Sequence, residues 1–286
     1  MSESDDLVCV PIYIPSVDKI LGGGMPIGST VLVVSEPGAG GQEMILTSLV
    51  GYCREIWSKN PAAPNTRRPG AMYYVTPKLS RSTFITLMKR QFSFLDEMNF
   101  EGEFLDKRVF HYDFGDAFFA RSIVPYSWYS TKSITEYLMN MPSSDEYGGV
   151  TYLAGLVEKI PEYSMVFVDS LTTYLPYFSE PEKWKSFLAL MYGLARVAKA
   201  RNLIFVLLLT ADVLSKSREI ELGNAFDGIL HLVWQKSVSA MSRQRQMYIG
   251  KFNGVLPLIL VRDIAIYNVT ISSDIGFEIS NLRRVT

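Results

Sequence analysis

Continuously apolar segments recur along this chain and are separated by amphipathic segments of helical length. Strands that alternate apolar and polar residues have one face in solvent, whereas strands buried on both faces are apolar throughout. Strands of the second kind that alternate with helices form a mostly parallel α/β sheet. The sequence therefore predicts strands at Thr30–Val34, Ala71–Thr76, Val109–Tyr112, Met165–Val168 and Leu203–Leu209. The predicted helices are Gln42–Trp57, Ser80–Leu95, Gly149–Lys159 and Pro181–Ala200.

The C-terminal part of the chain has a different pattern. From Gln246 onwards, short β-branched segments are separated by turns, as in MYIGKFNG, LILVRDIAIYNVTIS and GFEIS. These segments favour an antiparallel edge on the same sheet. We identify no interdomain linker and expect residues 1–286 to form a single domain.

Two stretches are typical of insertions. Residues 59–69, KNPAAPNTRRP, contain three prolines and predict a loop. Residues from about 113 to 148 are rich in aromatic side chains, with a predicted helix near 130–141. This aromatic insertion is either a flap packed on the sheet edge or an exposed docking surface for a protein partner, because aromatic residues are enriched at binding hot spots.

Composition and charge exclude several classes of protein. The formal net charge is −1, so no global basic field favours nucleic acid or an anionic membrane. Cys9 and Cys53 are too few for a disulfide framework, and the N-terminus is acidic where a secretory signal would be basic. The longest apolar run, Leu203–Leu209, is far shorter than a membrane span. We expect a cytoplasmic protein with no membrane association.

The stretch VLVVSEPGAGGQEM has the layout of a phosphate-binding loop, with a strand, a glycine-rich turn and a helical segment. In the pattern G-x-x-x-x-G-K-[ST], only Gly40 matches a fixed position. Ser35 replaces the first glycine, Gly41 the lysine and Gln42 the hydroxyl residue. Taken alone, the loop is either a degenerate phosphate site or a tight turn.

Together with four other motifs, this stretch resembles the KaiC/RadA-like branch of the RecA superfamily, P-loop ATPases common in archaea and bacteria. The resemblance runs in order through SVDKILGGGMPIGSTVLVVSEPGAG, YYVTPKLS, MVFVDSLT, NAFDGILHL and IGKFNG. It implies a RecA-like fold, with a mostly parallel twisted sheet flanked by helices and an antiparallel C-terminal edge. It also implies bound ATP or ADP with magnesium.

The resemblance assigns the nucleotide-binding residues by position. They are Glu36, Pro37, Gly38, Ala39, Gly40, Gly41 and Gln42 in the loop, and Asp169 as the Walker B aspartate that contacts magnesium. Family members carry glutamates at the end of the second strand, where this chain has Lys78 and Leu79. In the closing hairpin Lys251 is retained, but Asn253 replaces an arginine. The lysine, hydroxyl, glutamate and arginine finger are all substituted, so we expect no catalytic residues and weak or lost nucleotide binding.

The expected function is that of a pseudo-ATPase, a regulatory or scaffold subunit in an oligomer of its own copies or with a RecA/KaiC-like paralogue. One alternative is a slow ATPase that uses Lys78 or Lys251 as substitute cations, although Lys78 is also explained as a solvated or ion-paired lysine. Another is a DNA-binding accessory protein similar to RadA paralogues. The mixed charges of residues 212–223 and their lack of an aromatic side chain predict weak or no nucleic acid binding. Arg243 and Arg245 are either solvated or contact nucleic acid or an acidic partner.

Overall fold

The computed structural model describes residues 8–59, 66–119, 122–130, 150–235, 243–253 and 266–281. The strands are β1 (Cys9–Val10), β2 (Met25–Pro26), β3 (Thr30–Ser35), β4 (Met72–Thr76), β5 (Val109–Asp113), β6 (Met165–Val168), β7 (Ile204–Thr210), β8 (Gly228–Trp234), β9 (Arg245–Phe252), β10 (Tyr267–Ser272) and β11 (Gly276–Asn281). The helices are α1 (Pro15–Ile20), α2 (Gly41–Trp57), α3 (Arg81–Gln91), α4 (Phe100–Glu103), α5 (Gly115–Phe119), α6 (Val150–Val157), α7 (Pro181–Arg201) and α8 (Lys216–Asn224).

Within the described ranges, nine strands form one sheet in the order β11-β10-β9-β8-β3-β7-β6-β4-β5. The pairs from β8 to β5 are all parallel, and the pairs from β8 to β11 are all antiparallel. The predicted fold class and the antiparallel C-terminal edge are therefore confirmed. The five strands predicted from apolar runs are present, with bounds that differ by at most one residue. The predicted helices are present too, although the second ends at Gln91 and a short 3-10 turn follows it.

Both faces of the sheet are covered, which explains the continuously apolar strands. In β3, Val31 and Val33 pack into the core on the side of α2, whereas Leu32 and Val34 pack into the core on the side of α7. All six residues of β3 are buried. Helix α7 begins with Pro181 in its first turn and ends at Arg201, and the left-handed backbone of the next residue, Asn202, stops the helix.

In the part of the chain that the structure describes, the last strand of the antiparallel edge is closed by side chains rather than by another strand. The amide of Phe277 donates to Oγ1 of Thr47 at 2.8 Å, and the amide of Ile279 donates to Oγ of Ser16 at 3.0 Å. Thr47 belongs to α2 and Ser16 to α1, so the two helices cap the outer amides of β11.

The predicted loop and insertion are only partly described. Residues 60–65 of the loop lie outside the described residues, as do residues 120–121 and 131–148 of the insertion, which include all but the first residue of its predicted helix. In the described part, Phe118 contacts the rings of Tyr174 and Tyr177, with centroids 6.4 and 6.1 Å away, as a flap would. Trp128 is 78% exposed. Docking of a partner on the insertion stays a prediction, as does the single-domain organisation.

Among the helices that the structure describes, none combines the length and the apolar composition needed to span a bilayer.

Candidate functional site

The carboxyl ends of β3, β4 and β6 meet at one edge of the sheet, as they do in parallel sheets generally. This places the loop after β3, Lys78 after β4 and Asp169 after β6 in the same region. The residues predicted from sequence for a phosphate loop and a metal ligand are therefore neighbours in space. Their contacts decide what the site can do.

The loop has the backbone shape that its glycines allow. Gly38 and Gly40 have φ values of 75° and 114°, in the left-handed region that favours glycine. The amide of Ala39 donates to the carbonyl of Glu36 at 3.0 Å, and α2 begins directly after Gly40. The first amides of a helix have no acceptor within the helix, so this end of α2 retains part of the geometry of an anion site.

Gly41 lies where the sequence resemblance implies a lysine, and the space around it is filled. A Cβ atom built on Gly41 would lie 2.6 Å from Cδ1 of Leu208 and 2.8 Å from Cβ of Ser35. Contacts this short require neighbouring atoms to move. A side chain at this position, such as the lysine that the resemblance implies, therefore has no room in the present packing.

Gln42 lies where the sequence resemblance implies a hydroxyl residue, and its side chain is hydrogen-bonded to Asp169, which that resemblance implies as the Walker B aspartate. Nε2 of Gln42 donates to Oδ2 of Asp169 at 2.7 Å. Asp169 is 1% exposed. A glutamine amide oriented the other way would direct its oxygen at the carboxylate, so the carboxylate fixes the orientation of the amide.

Two further side chains converge on Asp169. The hydroxyl of Tyr74 donates to the same Oδ2 at 2.6 Å, and Nζ of Lys78 lies 3.7 Å from Oδ1. Burial, and then the charge of Asp169, hold the pKa of Tyr74 well above its usual value of 10. Tyr74 therefore remains a protonated donor over the whole range of physiological pH. The carboxylate is compensated by an amide, a phenol and an ammonium group.

The ligands implied by the resemblance can be tested against this arrangement. A magnesium ion requires carboxylate lone pairs that face it, but Oδ2 of Asp169 faces two hydrogen-bond donors and Oδ1 faces an ammonium group. Within the described residues, no group of three or more histidine, cysteine or acidic side chains could hold a metal. The residues as arranged do not fit a magnesium ion.

Lys251, the other predicted substitute cation, is not brought to this cluster. Its Nζ donates to the carbonyls of Phe226 at 2.6 Å and Gly223 at 3.3 Å, beside the C-terminal end of α8. Cations are stabilised at helix C-termini by the helix dipole and by the last carbonyls. Within one chain Lys251 therefore caps a helix, whereas Lys78 lies where the sequence predicts it.

Tyr74 was not identified as a site residue from the sequence, although a signal exists. Alternate residues of a strand face the same side of a sheet. Met165 and Phe167 pack on the side of α2, so Asp169 follows on that side, and Met72 and Tyr74 of the neighbouring strand share it. The alternation places Tyr74 next to Asp169 once β4 and β6 are known to be neighbours.

Comparison with solved structures supports the fold that the site implies. The KaiC-like protein PH0186 from the hyperthermophilic archaeon Pyrococcus horikoshii OT3 matches with a TM-score of 0.60 and 17% identity, over 95% of this chain and 98% of that chain. The flagellar accessory protein FlaH from Methanocaldococcus jannaschii matches with a TM-score of 0.60 and 12% identity, over 96% of this chain and 99% of that chain. The shared fold is RecA-like. No protein-family model and no curated protein matches the sequence. At these identities the likeness establishes the fold and not the activity.

Proposed function

We propose that this chain is a non-catalytic RecA/KaiC-like subunit, a pseudo-ATPase with a degenerate Walker A loop and a regulatory or scaffold role in an oligomer. The observation that carries the proposal is the 2.7 Å hydrogen bond from Gln42 to Asp169, which uses the metal-binding carboxylate of the family as a structural acceptor. The packing around Gly41 supports it, because the lysine position is filled by Leu208 and Ser35.

The expected affinity for nucleotides follows from the missing contacts. Contacts of the kind made by the lysine and by the metal-bound hydroxyl contribute about 1.5–3 kcal/mol each. Since about 1.4 kcal/mol is a tenfold change, the loss of both weakens binding by roughly two to four decades. A micromolar site then becomes a millimolar one. Amides at the start of α2 are the residual attraction for a phosphate.

An accessory role has a precedent on this fold, since one of the similar solved structures is named a flagellar accessory protein. We extend the idea of an accessory subunit to this chain, with its own copies or a RecA/KaiC-like paralogue as the partner. Sedimentation velocity of the purified chain, alone and with an active paralogue, tests this part. A monomer in both experiments contradicts the subunit role.

Isothermal titration calorimetry with ATP and with ADP, in the presence and absence of magnesium, tests whether the chain has lost nucleotide binding. We expect no heat of binding at micromolar nucleotide, no saturation below millimolar concentrations and no effect of magnesium. A steady-state ATPase assay of the wild type and Asp169→Ala accompanies the titration. Turnover by the wild type that disappears in Asp169→Ala overturns the proposal.

A second candidate function is a slow ATPase in which Lys78 replaces the missing cation. The observation that favours it is the position of Lys78, whose ammonium lies 3.7 Å from Asp169 and whose side chain is 58% exposed. Lys78→Ala then weakens nucleotide binding, whereas Lys89→Ala, a control on the exposed face of α3 that is paired with Asp96 and Glu101, does not. Equal affinities for the wild type and Lys78→Ala exclude this candidate.

A further inference from the structure

The outer side of the loop is hydrogen-bonded to two residues of the antiparallel edge. Nε1 of Trp234 donates to the carbonyl of Pro37 at 3.0 Å, and Nε of Arg245 donates to the carbonyl of Gly38 at 2.9 Å. Trp234 and Arg245 face each other in the register of β8 and β9. The guanidinium carbon of Arg245 lies 4.7 Å from the centre of the Trp234 ring, so the two donors also stabilise each other.

The rest of the loop is attached to the same edge. The carboxylate of Glu36 accepts a hydrogen bond from the amide of Trp234 at 3.1 Å, and the amide of Glu36 donates to Leu232 at 2.9 Å. At Gly40, the ring of Phe277 and the side chain of Ile271 lie 3.1 and 3.2 Å from the position of a Cβ atom. Strands β8 to β11 therefore hold both ends of the loop.

We propose that this edge is a latch that keeps the loop in the conformation that directs Gln42 at Asp169. The hydrogen bonds of Trp234 and Arg245 are the contacts whose loss releases the loop, because their donors contact the carbonyls of its most exposed part. Breaking these contacts frees Pro37 and Gly38 to move while the core of the sheet stays folded. The inference concerns conformation alone and does not depend on the proposed function.

Hydrogen exchange measured by mass spectrometry tests the latch in the full-length protein without any ligand. The informative amides are those of two buried residues, Ala39 in the loop and Met44 in the first turn of α2, which donate to the carbonyls of Glu36 and Gly40. We expect Arg245→Gln and Trp234→Phe each to raise exchange in peptides covering these amides about tenfold, which corresponds to ~1.4 kcal/mol of local stability. Arg245→Lys keeps the charge but loses the planar guanidinium group that donates to Gly38 and stacks on Trp234. We expect it to raise exchange less than Arg245→Gln does.

The chain provides a matched control at a distance from the loop. Arg218 lies 4.9 Å from the ring centre of Trp184 and donates to the carbonyl of Ser179 at 2.6 Å, which is the same chemistry as in the latch. Arg218→Gln should leave exchange in the loop unchanged. Unchanged exchange in the loop of Arg245→Gln and Trp234→Phe overturns the latch, and so does an equal rise in Arg218→Gln. If Arg245→Gln loses protection throughout the chain, exchange in the loop of Trp234→Phe is compared with that of Arg218→Gln. A rise in Trp234→Phe alone then supports the latch, and equal exchange in the two variants overturns it.

Discussion

Tyr74 donates its hydroxyl to Oδ2 of Asp169 over 2.6 Å, and both side chains are at most 1% exposed. A buried carboxylate that loses a donor keeps its desolvation cost without compensation. Tyr74→Phe should therefore lower the free energy of unfolding by about 1–3 kcal/mol in chemical denaturation. The control is Tyr73→Phe, because Tyr73 points to the opposite core and stacks on Phe110. Equal losses in the two variants contradict a special role for the bond to Asp169.

Gly41 should tolerate no side chain, although it begins a helix. Gly41→Ala places a methyl group 2.6 Å from Leu208 and should destabilise the protein by about 1–3 kcal/mol. Gly193 lies in α7, and apart from its own turn of the helix no atom of the described residues lies within 4 Å of the position of a Cβ there. Gly193→Ala should stabilise by about 0.5–1 kcal/mol through helix propensity. Thermal unfolding of both variants checks the opposite signs, and a stable Gly41→Ala protein contradicts the packing argument.

Asp18 should make stability depend on pH in a direction that is unusual for a carboxylate. Burial raises the pKa of Asp18 from 3.8 to about 7, although the amide of Ile12 donates to it at 2.7 Å. Between these two values the folded chain holds a proton that the unfolded chain has released. The contribution of this group is therefore present at low pH, decreases as pH rises through the interval, and is lost above about pH 7.

Asp18→Asn removes this titration and keeps an oxygen acceptor for Ile12. We expect equal stabilities at pH 4 and a more stable variant at pH 8, by on the order of 2 kcal/mol because part of the carboxylate still reaches solvent. Burial lowers the pKa of His111 to about 4, so its protonation destabilises both proteins on acidification and cancels in the comparison. Urea denaturation at the two pH values measures the difference, and a difference that does not change with pH refutes the assignment to Asp18.

Thr47 should contribute more to stability than an ordinary helical threonine. Its hydroxyl donates to Glu43 at 2.7 Å and accepts from the buried amide of Phe277 at 2.8 Å. Thr47→Val leaves that amide without an acceptor, which should cost about 1–3 kcal/mol. Thr86 in α3 donates in the same way to Ser82 at 2.9 Å but lies on the surface, and Thr86→Val is the control. Similar unfolding midpoints for the two variants would show that the strand amide does not need this acceptor.

The parallel sheet could be predicted from sequence because each of its strands is identified by a pattern within a short stretch of the chain. Continuous runs such as Met165–Val168 identify strands that are buried on both faces, and β6 is found at those residues. The loop and Asp169 were placed by motif order, and the structure brings them together. The bond between Gln42 and Asp169 was not predicted, because motif positions give proximity but not the direction in which a side chain points.

Contacts of the antiparallel edge could not be derived in the same way. The position of Arg245 beside Gly38 depends on the pairing of β9 with β8, and a shift by one residue would turn its side chain to the other face. Lys251 was predicted from a hairpin motif, which does not reveal that the carbonyls of Gly223 and Phe226 lie within its reach. Both contacts depend on the register of β8 and β9, which the sequence motifs do not specify.

The hydroxyl groups of Ser16 and Thr47 affect whether a strand of another molecule can pair with β11. A strand from another molecule can join a sheet only where backbone donors and acceptors remain available. At β11 the outward amides of Phe277 and Ile279 already have acceptors, so an incoming strand would have to compete with two intramolecular bonds. The cross-β route to aggregation is therefore obstructed at this end of the sheet by two small side chains from helices.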